Sequence, residues 1–262
     1  MKNKFRIALL YVSIVMLLIS ATYIGYSKYT KFRENELLNE VQEQKDEVIV
    51  QQKTQEAKTT KTAETVEEKN ILSEYKKLYE ENNDLYGWIK IEDTVIDYPV
   101  MHTPKDPNFY IHKNWKKEES VLGSIYVDGR CGEDTENLII YGHKMRDGSM
   151  FGSLAKYKDE DYYEQHKHIE FDTLYEKATY EIIAVSKAVV YYEPNIPQNE
   201  YLFYEHVELN SKEEFDDYMR YMKDNSYYCI DSNAEYGDKI ITLCTCDYWT
   251  DNARLLVVAK KI

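Results

Sequence analysis

The stretch TLCTCDYWTDNAR, Thr242 to Arg254, sets two cysteines one residue apart at the end of an apolar run, with an arginine eight positions beyond the second. A second stretch, NLIIYGHKMRDGSMFGSL, ends a similar run at His143, directly after Gly142. Both runs have the length and residue types of buried strands. Each candidate side chain therefore sits where a strand runs out, rigidly held by the backbone yet open to solvent. A cysteine nucleophile needs its thiolate, and a histidine within reach stabilises it or carries a proton to a departing amine. If the strands bearing Cys246 and Arg254 pair antiparallel, the turn between them returns Arg254 to the level of Cys246. A guanidinium there holds a substrate carbonyl or the oxyanion of a tetrahedral intermediate. The chemistry is acyl transfer.

The remaining reactive side chains add less. Thr242, Cys244 and Cys246 share one strand face, because successive side chains alternate. Their spacing puts the two cysteine Cα atoms roughly 6.5–7 Å apart, at the far edge of disulfide geometry, so Cys244–Cys246 is a poor bridge. With Cys131 and Cys229 there are four cysteines. With Cys246 kept free, one bridge at most is available. Tyr141, two residues before His143, shares its face. His166 and His168 lack partners at ligand spacing, so no metal site is expected. His102 and His112 read as loop and surface residues, Ser149 as a turn or cap, and Asp128 as a surface carboxylate that helps shape the site.

These residues need elements to hold them. Ile71, Leu72, Tyr75, Leu78 and Tyr79 fall on one helical face and open the folded region. Short runs rich in Val, Ile and Tyr follow at 87–91, 95–101, 124–128, 137–143, 168–173, 178–192, 239–246 and 254–260, bounded by Gly, Asp, Asn and Pro. Eight such runs predict a mainly antiparallel, barrel-like sheet. One helix interrupts them before the cysteine strand: Ser211 is its N-cap, and Phe215, Tyr218, Met219 and Met222 line one side.

The N-terminal part is different in kind. Lys2, Lys4 and Arg6 precede about twenty uncharged residues, Ile7 to Tyr26. That length spans a bilayer, and the weak cleavage signal favours an uncleaved signal anchor with its N-terminus inside. Residues 27–70, rich in Glu, Gln, Lys and Thr, read as a stalk: partly helical at first, disordered around KTTKTAET. The layout expected is a cytoplasmic tail (1–6), an anchor (7–26), a stalk (27–70) and a catalytic domain (71–262). A formal net charge of −14 speaks against nucleic acid as a partner.

Together these motifs resemble the sortases, the cysteine transpeptidases of Gram-positive cell surfaces. Their Thr-Leu-x-Thr-Cys signature with a downstream Arg stands here as Thr242, Leu243, Cys244, Thr245, Cys246 and Arg254. The segments YGHKMRDGSMFGSL, LYGWIKIEDTVIDYPVM and GSIYVDGR, and the helix-bearing insertion, are similar to class B. The resemblance covers residues 71–262. It implies a mainly β fold, an eight-stranded sortase-type barrel with an N-terminal helix and a helix inserted before the cysteine strand. It also implies that Cys246 is the nucleophile, His143 the acid/base and Arg254 the carbonyl or oxyanion stabiliser. Thr242, Cys244, Thr245 and Tyr141 would line the substrate groove, with Ile241 and Leu243 turned into the barrel. The partners implied are exported proteins bearing a sorting signal and an amine, from a peptidoglycan cross-bridge or a pilin lysine. No cofactor is implied. The competing readings are an exported cysteine peptidase that hydrolyses its substrate and a non-catalytic, membrane-tethered binding domain.

Overall fold

In a computed structural model, residues 2–56, 70–232 and 234–262 are described. The KTTKTAET stretch lies outside them. The chain divides into two units, Met1–Glu40 and Val41–Ile262. In the first, helix α1 (Lys2–Glu56) begins and carries the uncharged run with its large apolar side chains exposed. Among the described residues α1 is the one helix long and apolar enough to cross a membrane.

The second unit opens with the end of α1 and continues through α2 (Ser73–Glu81), β1 (Leu85–Lys90), β2 (Asp97–Met101), β3 (Ile125–Val127) and β4 (Asn137–Tyr141). Next come α3 (Glu160–Gln165), β5 (His168–Thr173), β6 (Thr179–Val189), α4 (Lys212–Asp224), β7 (Ile240–Cys246) and β8 (Ala253–Lys261). The eight strands close into a barrel in the order β1-β2-β3-β4-β7-β8-β6-β5. Most neighbours are antiparallel, as the strand runs predict. Two pairs, β2 with β3 and β4 with β7, are parallel, which makes the sheet mixed. The β4–β7 pairing explains why β7 reads as an almost unbroken apolar run: every residue from Ile240 to Thr245 is buried.

From α4, Tyr218 reaches Thr242 of β7. Ser211 caps that helix, its side chain accepting from the Glu214 amide, and Phe215, Tyr218, Met219 and Met222 are its buried side. Thr242 Oγ donates to Asn137 Oδ1 at 2.8 Å, so Tyr218, 2.6 Å away, donates to Thr242. Asn137 Nδ2 then donates to the His206 carbonyl at 2.8 Å. This buried chain of hydrogen bonds joins the insertion to β4 and β7. Every polar atom in it has a partner, so its burial is not penalised.

A further core cluster lies beside β1 and β2. Tyr75 and Leu78 of α2 pack there with Leu85, Trp88 and Val41. Val41 belongs to α1, as do Gln42 and Lys45. Lys45 Nζ sits 4.2 Å from the Trp88 ring centre and 3.1 Å from Asp97 Oδ1. Gln42 Nε2 donates to the Asp97 carbonyl and Trp88 Nε1 to its carboxylate, each at 2.5 Å. Residues within the 27–70 stretch are thus part of the barrel's own packing.

Candidate active site

Parallel neighbours finish at the same rim of a barrel. The register of β4 against β7 runs from Asn137↔Ile240 to Tyr141↔Cys244. The chain therefore leaves β4 for Gly142 and His143 beside the point where β7 reaches Cys246. Two bonds stitch the exit: Gly142 N donates to the Cys244 carbonyl at 3.2 Å, and Thr245 Oγ donates to the Gly142 carbonyl at 2.8 Å. Glycine is required there, since a Cβ would come within 2.5 Å of Ile125 Cδ1 and 2.7 Å of the Phe151 ring.

His143 is fixed on its far side. Its Nε2 lies 2.8 Å from the Ile111 carbonyl. A carbonyl only accepts, so Nε2 carries a proton, which leaves Nδ1 as the ring nitrogen available for acid–base work. His112 is an exposed loop residue, as expected, and its ring stacks against His143 with centroids 6.0 Å apart.

On the other side, β7 and β8 pair antiparallel and the last partners are Cys246 and Arg254. The guanidinium is held at its base by backbone: Nη1 donates to the Ala253 carbonyl at 3.0 Å and the Asn252 carbonyl at 3.2 Å. Nη2 lies 3.5 Å from the Tyr192 hydroxyl. The sequence-predicted trio thus converges on one rim from three segments.

Along the face that Thr242, Cys244 and Cys246 share, cover falls away. Thr242 lies beneath Tyr218 and is wholly buried, Cys244 is 1% exposed, and Cys246 is half-buried. Burial pushes the Cys244 thiol up to about 12, despite the opposing effect of Arg254. Thr245 is likewise buried. The expectation that Thr242, Cys244 and Thr245 present side chains to an open groove therefore needs correction. Alternation fixes the face of Thr242 and Cys244 correctly, but both are buried on it, Thr242 against Tyr218 of α4. Tyr141 is more open: its hydroxyl donates to Asp128 Oδ2 at 3.1 Å, and its ring lies 5.4 Å from that of Tyr126. Asp128 also pairs with Arg130 at 2.9 Å, and although burial opposes it, these bonds hold its carboxyl below the usual range. Ser149 Oγ donates to Asp147 in a turn, as expected. All four cysteines are free, Cys131 buried and Cys229 exposed.

Sequence reasoning overlooked three charges here. Lys144 and Lys158 both pair with the buried carboxylate of Asp247, at 2.8 and 2.5 Å. The signal was available: opposite charges directly follow His143 and Cys246.

The sortase domain family model matches residues 89–262. Sortase B of Listeria monocytogenes is 34% identical over 196 residues, 73% of this chain and 75% of that protein. Among solved structures, sortase B from Bacillus anthracis in complex with AAEK1 superposes with a TM-score of 0.70 at 30% identity, covering 89% of this chain and 98% of that one. A Staphylococcus aureus sortase B–substrate complex gives 0.72 at 26% identity, with the same coverage. A closed mixed barrel with this signature at its rim defines a sortase, and the chain belongs to that family. Within it the chain is a class B enzyme, a cysteine transpeptidase.

Proposed function

We propose that the protein cleaves a C-terminal sorting signal of exported proteins and transfers the freed acyl group to an amine of peptidoglycan or a pilin. Cys246 thiolate attacks the scissile amide carbonyl, and Arg254 faces the oxygen as charge develops on it. Protonated His143 gives its Nδ1 proton to the departing amine, the C–N bond breaks, and the acyl group stays on Cys246 as a thioester. An incoming amine attacks the thioester carbonyl, losing a proton to His143, and the thiolate leaves. Tyr141 lines the groove, while Thr242, Cys244 and Thr245 act from beneath it. The observation that carries this reading is the direct pairing of Cys246 with Arg254 at the rim where β4 delivers His143.

The proposed layout is a cytoplasmic tail at 1–6, a single-pass anchor at 7–26, a stalk at 27–70 whose residues from Val41 to Lys45 pack on the barrel, and an extracellular catalytic domain at 71–262. The apolar run of α1 supports the anchor. A fluorescent sorting peptide incubated with the protein, with and without an amine nucleophile, tests the reading. An amine-dependent product is expected, and none with Cys246→Ala. Amine-independent hydrolysis alone would make the protein a peptidase, and no cleavage of any sorting peptide a binding domain.

A further inference from the structure

His143 and Cys246 are each followed by a charged residue, and those two charges meet. Lys144 Nζ donates to Asp247 Oδ1 at 2.8 Å, and Lys158 Nζ to Oδ2 at 2.5 Å. The Tyr227 hydroxyl donates to the same Oδ2 at 3.3 Å. Asp247 N donates to the Ala253 carbonyl at 2.8 Å, next to Arg254. The Asp247 side chain is 3% exposed, that of Lys144 15%. Lys144 Nζ also lies 4.8 Å from the Tyr248 ring centre. One carboxylate therefore gathers the exit of β4, the end of the 3-10 helix Gly152–Lys158, Tyr227 and the end of β7.

This pair is built differently from the surface ion pairs of the chain. Two cations and a hydroxyl converge on a desolvated acid, so removing one member leaves an uncompensated buried charge. Burial alone would raise the Asp247 carboxyl, yet the two lysines hold it ionised at any working pH. The pair also sits one residue from each reacting side chain, just past the ends of β4 and β7.

We infer that Asp247 and Lys144 are positioning residues, an ionic strap that sets the spacing of His143 from Cys246 by tying together the residues that follow them. This rests on the catalytic roles proposed above. A displacement of about 1 Å at a reacting pair costs on the order of 100-fold in rate. Loss of the strap should therefore fall on kcat.

The test uses the full chain in detergent, the fluorescent sorting peptide, and the variants Asp247→Asn, Lys144→Met, Lys144→Arg and their combinations. Asp247→Asn and Lys144→Met are expected to lower kcat roughly 10–100-fold with KM within about threefold. The double variant should be no worse than the poorer single, because both remove one device. Lys144→Arg should restore most of the rate. Asp247→Asn adds net positive charge beside the site and should move the whole pH profile of kcat/KM to lower pH, whereas Lys144→Met should move it to higher pH. Those shifts report the local charge, whereas the loss of kcat at unchanged KM and its non-additivity report the spacing. Each variant is assayed well below its own melting temperature; where Asp247→Asn does not fold, the Lys144 variants carry the same test. Single variants with wild-type kcat and unmoved profiles, while Cys246→Ala is inactive, would overturn the strap and leave the catalytic reading standing. Cleavage surviving in Cys246→Ala would overturn both.

Discussion

Cys246 and Arg254 face each other as the final pair of the β7–β8 ladder, so one is fixed relative to the other by backbone hydrogen bonds and not by a loop. Backbone carbonyls of Asn252 and Ala253 further restrain the guanidinium. Geometry this rigid suits a donor that must meet charge as it develops.

Arg254→Lys is therefore expected to lower kcat by roughly 10²–10³, with a smaller change in KM. Lysine offers a point charge on a flexible stem where arginine offers a planar fork. Steady-state kinetics with the sorting peptide would decide, and a wild-type kcat would remove Arg254 from the mechanism.

The two cysteines of the signature should behave oppositely. Cys244, with its thiol pushed up to about 12, carries almost no thiolate at neutral pH. Native alkylation read by mass spectrometry should label Cys229 and Cys246 and spare Cys131 and Cys244. Cys244→Ser should keep most activity and Cys246→Ala none. Labelling of Cys244 as fast as Cys246 would show that its site opens in solution.

Asp247 gives a pH signature in stability. Its carboxyl falls from an ordinary value of 3.8 to about 2 in the folded protein, so folding favours the ionised form. A depressed carboxyl stabilises fully above its unfolded pKa and loses that contribution as pH falls through the folded one. The contribution is on the order of 2 kcal/mol. Denaturant unfolding should show the wild type losing its advantage over Asp247→Asn between about pH 5 and 2. An advantage constant across that range would mean the carboxylate is not held down.

Thr242→Val keeps the shape of the side chain but strands the Tyr218 hydroxyl and the Asn137 oxygen. A buried polar group left without its partner costs about 1–3 kcal/mol. Thermal unfolding should fall by several degrees, at about 2–4 °C per kcal/mol for a unit of this size. The Tyr218→Phe/Thr242→Val double variant should recover part of that loss.

A chain beginning at Val41 should be more stable than one beginning at Ile71. The shorter chain lacks Val41, which is fully buried, and the Lys45 cation over Trp88. Burying a valine is worth about 1.5–3 kcal/mol, so a melting difference of several degrees is expected. Trp88 emission should shift to the red in the shorter chain. Equal stability and emission would mean the helix end contributes nothing to the barrel.

Much of this architecture is legible in the sequence for simple reasons. Period-two runs between turn residues gave strands whose observed bounds differ by one to three residues at most ends, and the Ser211 cap is where the spacing predicts it. Alternation also assigns Thr242, Cys244 and Cys246 to one face. It carries no information on what lies over that face, which is why Tyr218 above Thr242 went unseen. Nor does local pattern reveal register between distant segments. The parallel pairing of β4 with β7 and the contact of Lys144 with Asp247 both join positions 103 residues apart, and only the closed barrel brings them together.

That parallel pairing also orders the assembly of the site in time. β7 and β8 are joined by a short turn and can zip locally, bringing Cys246 against Arg254 early. β4 can join them only after a long loop closes, and non-local parallel pairing is intrinsically slow. During refolding the thiol should therefore gain its arginine neighbour before it gains its imidazole. Recovery of peptide cleavage is expected to lag behind the first phases of β-structure formation in stopped-flow measurements. On that order the imidazole reaches the site after the hairpin that carries its thiol and its arginine.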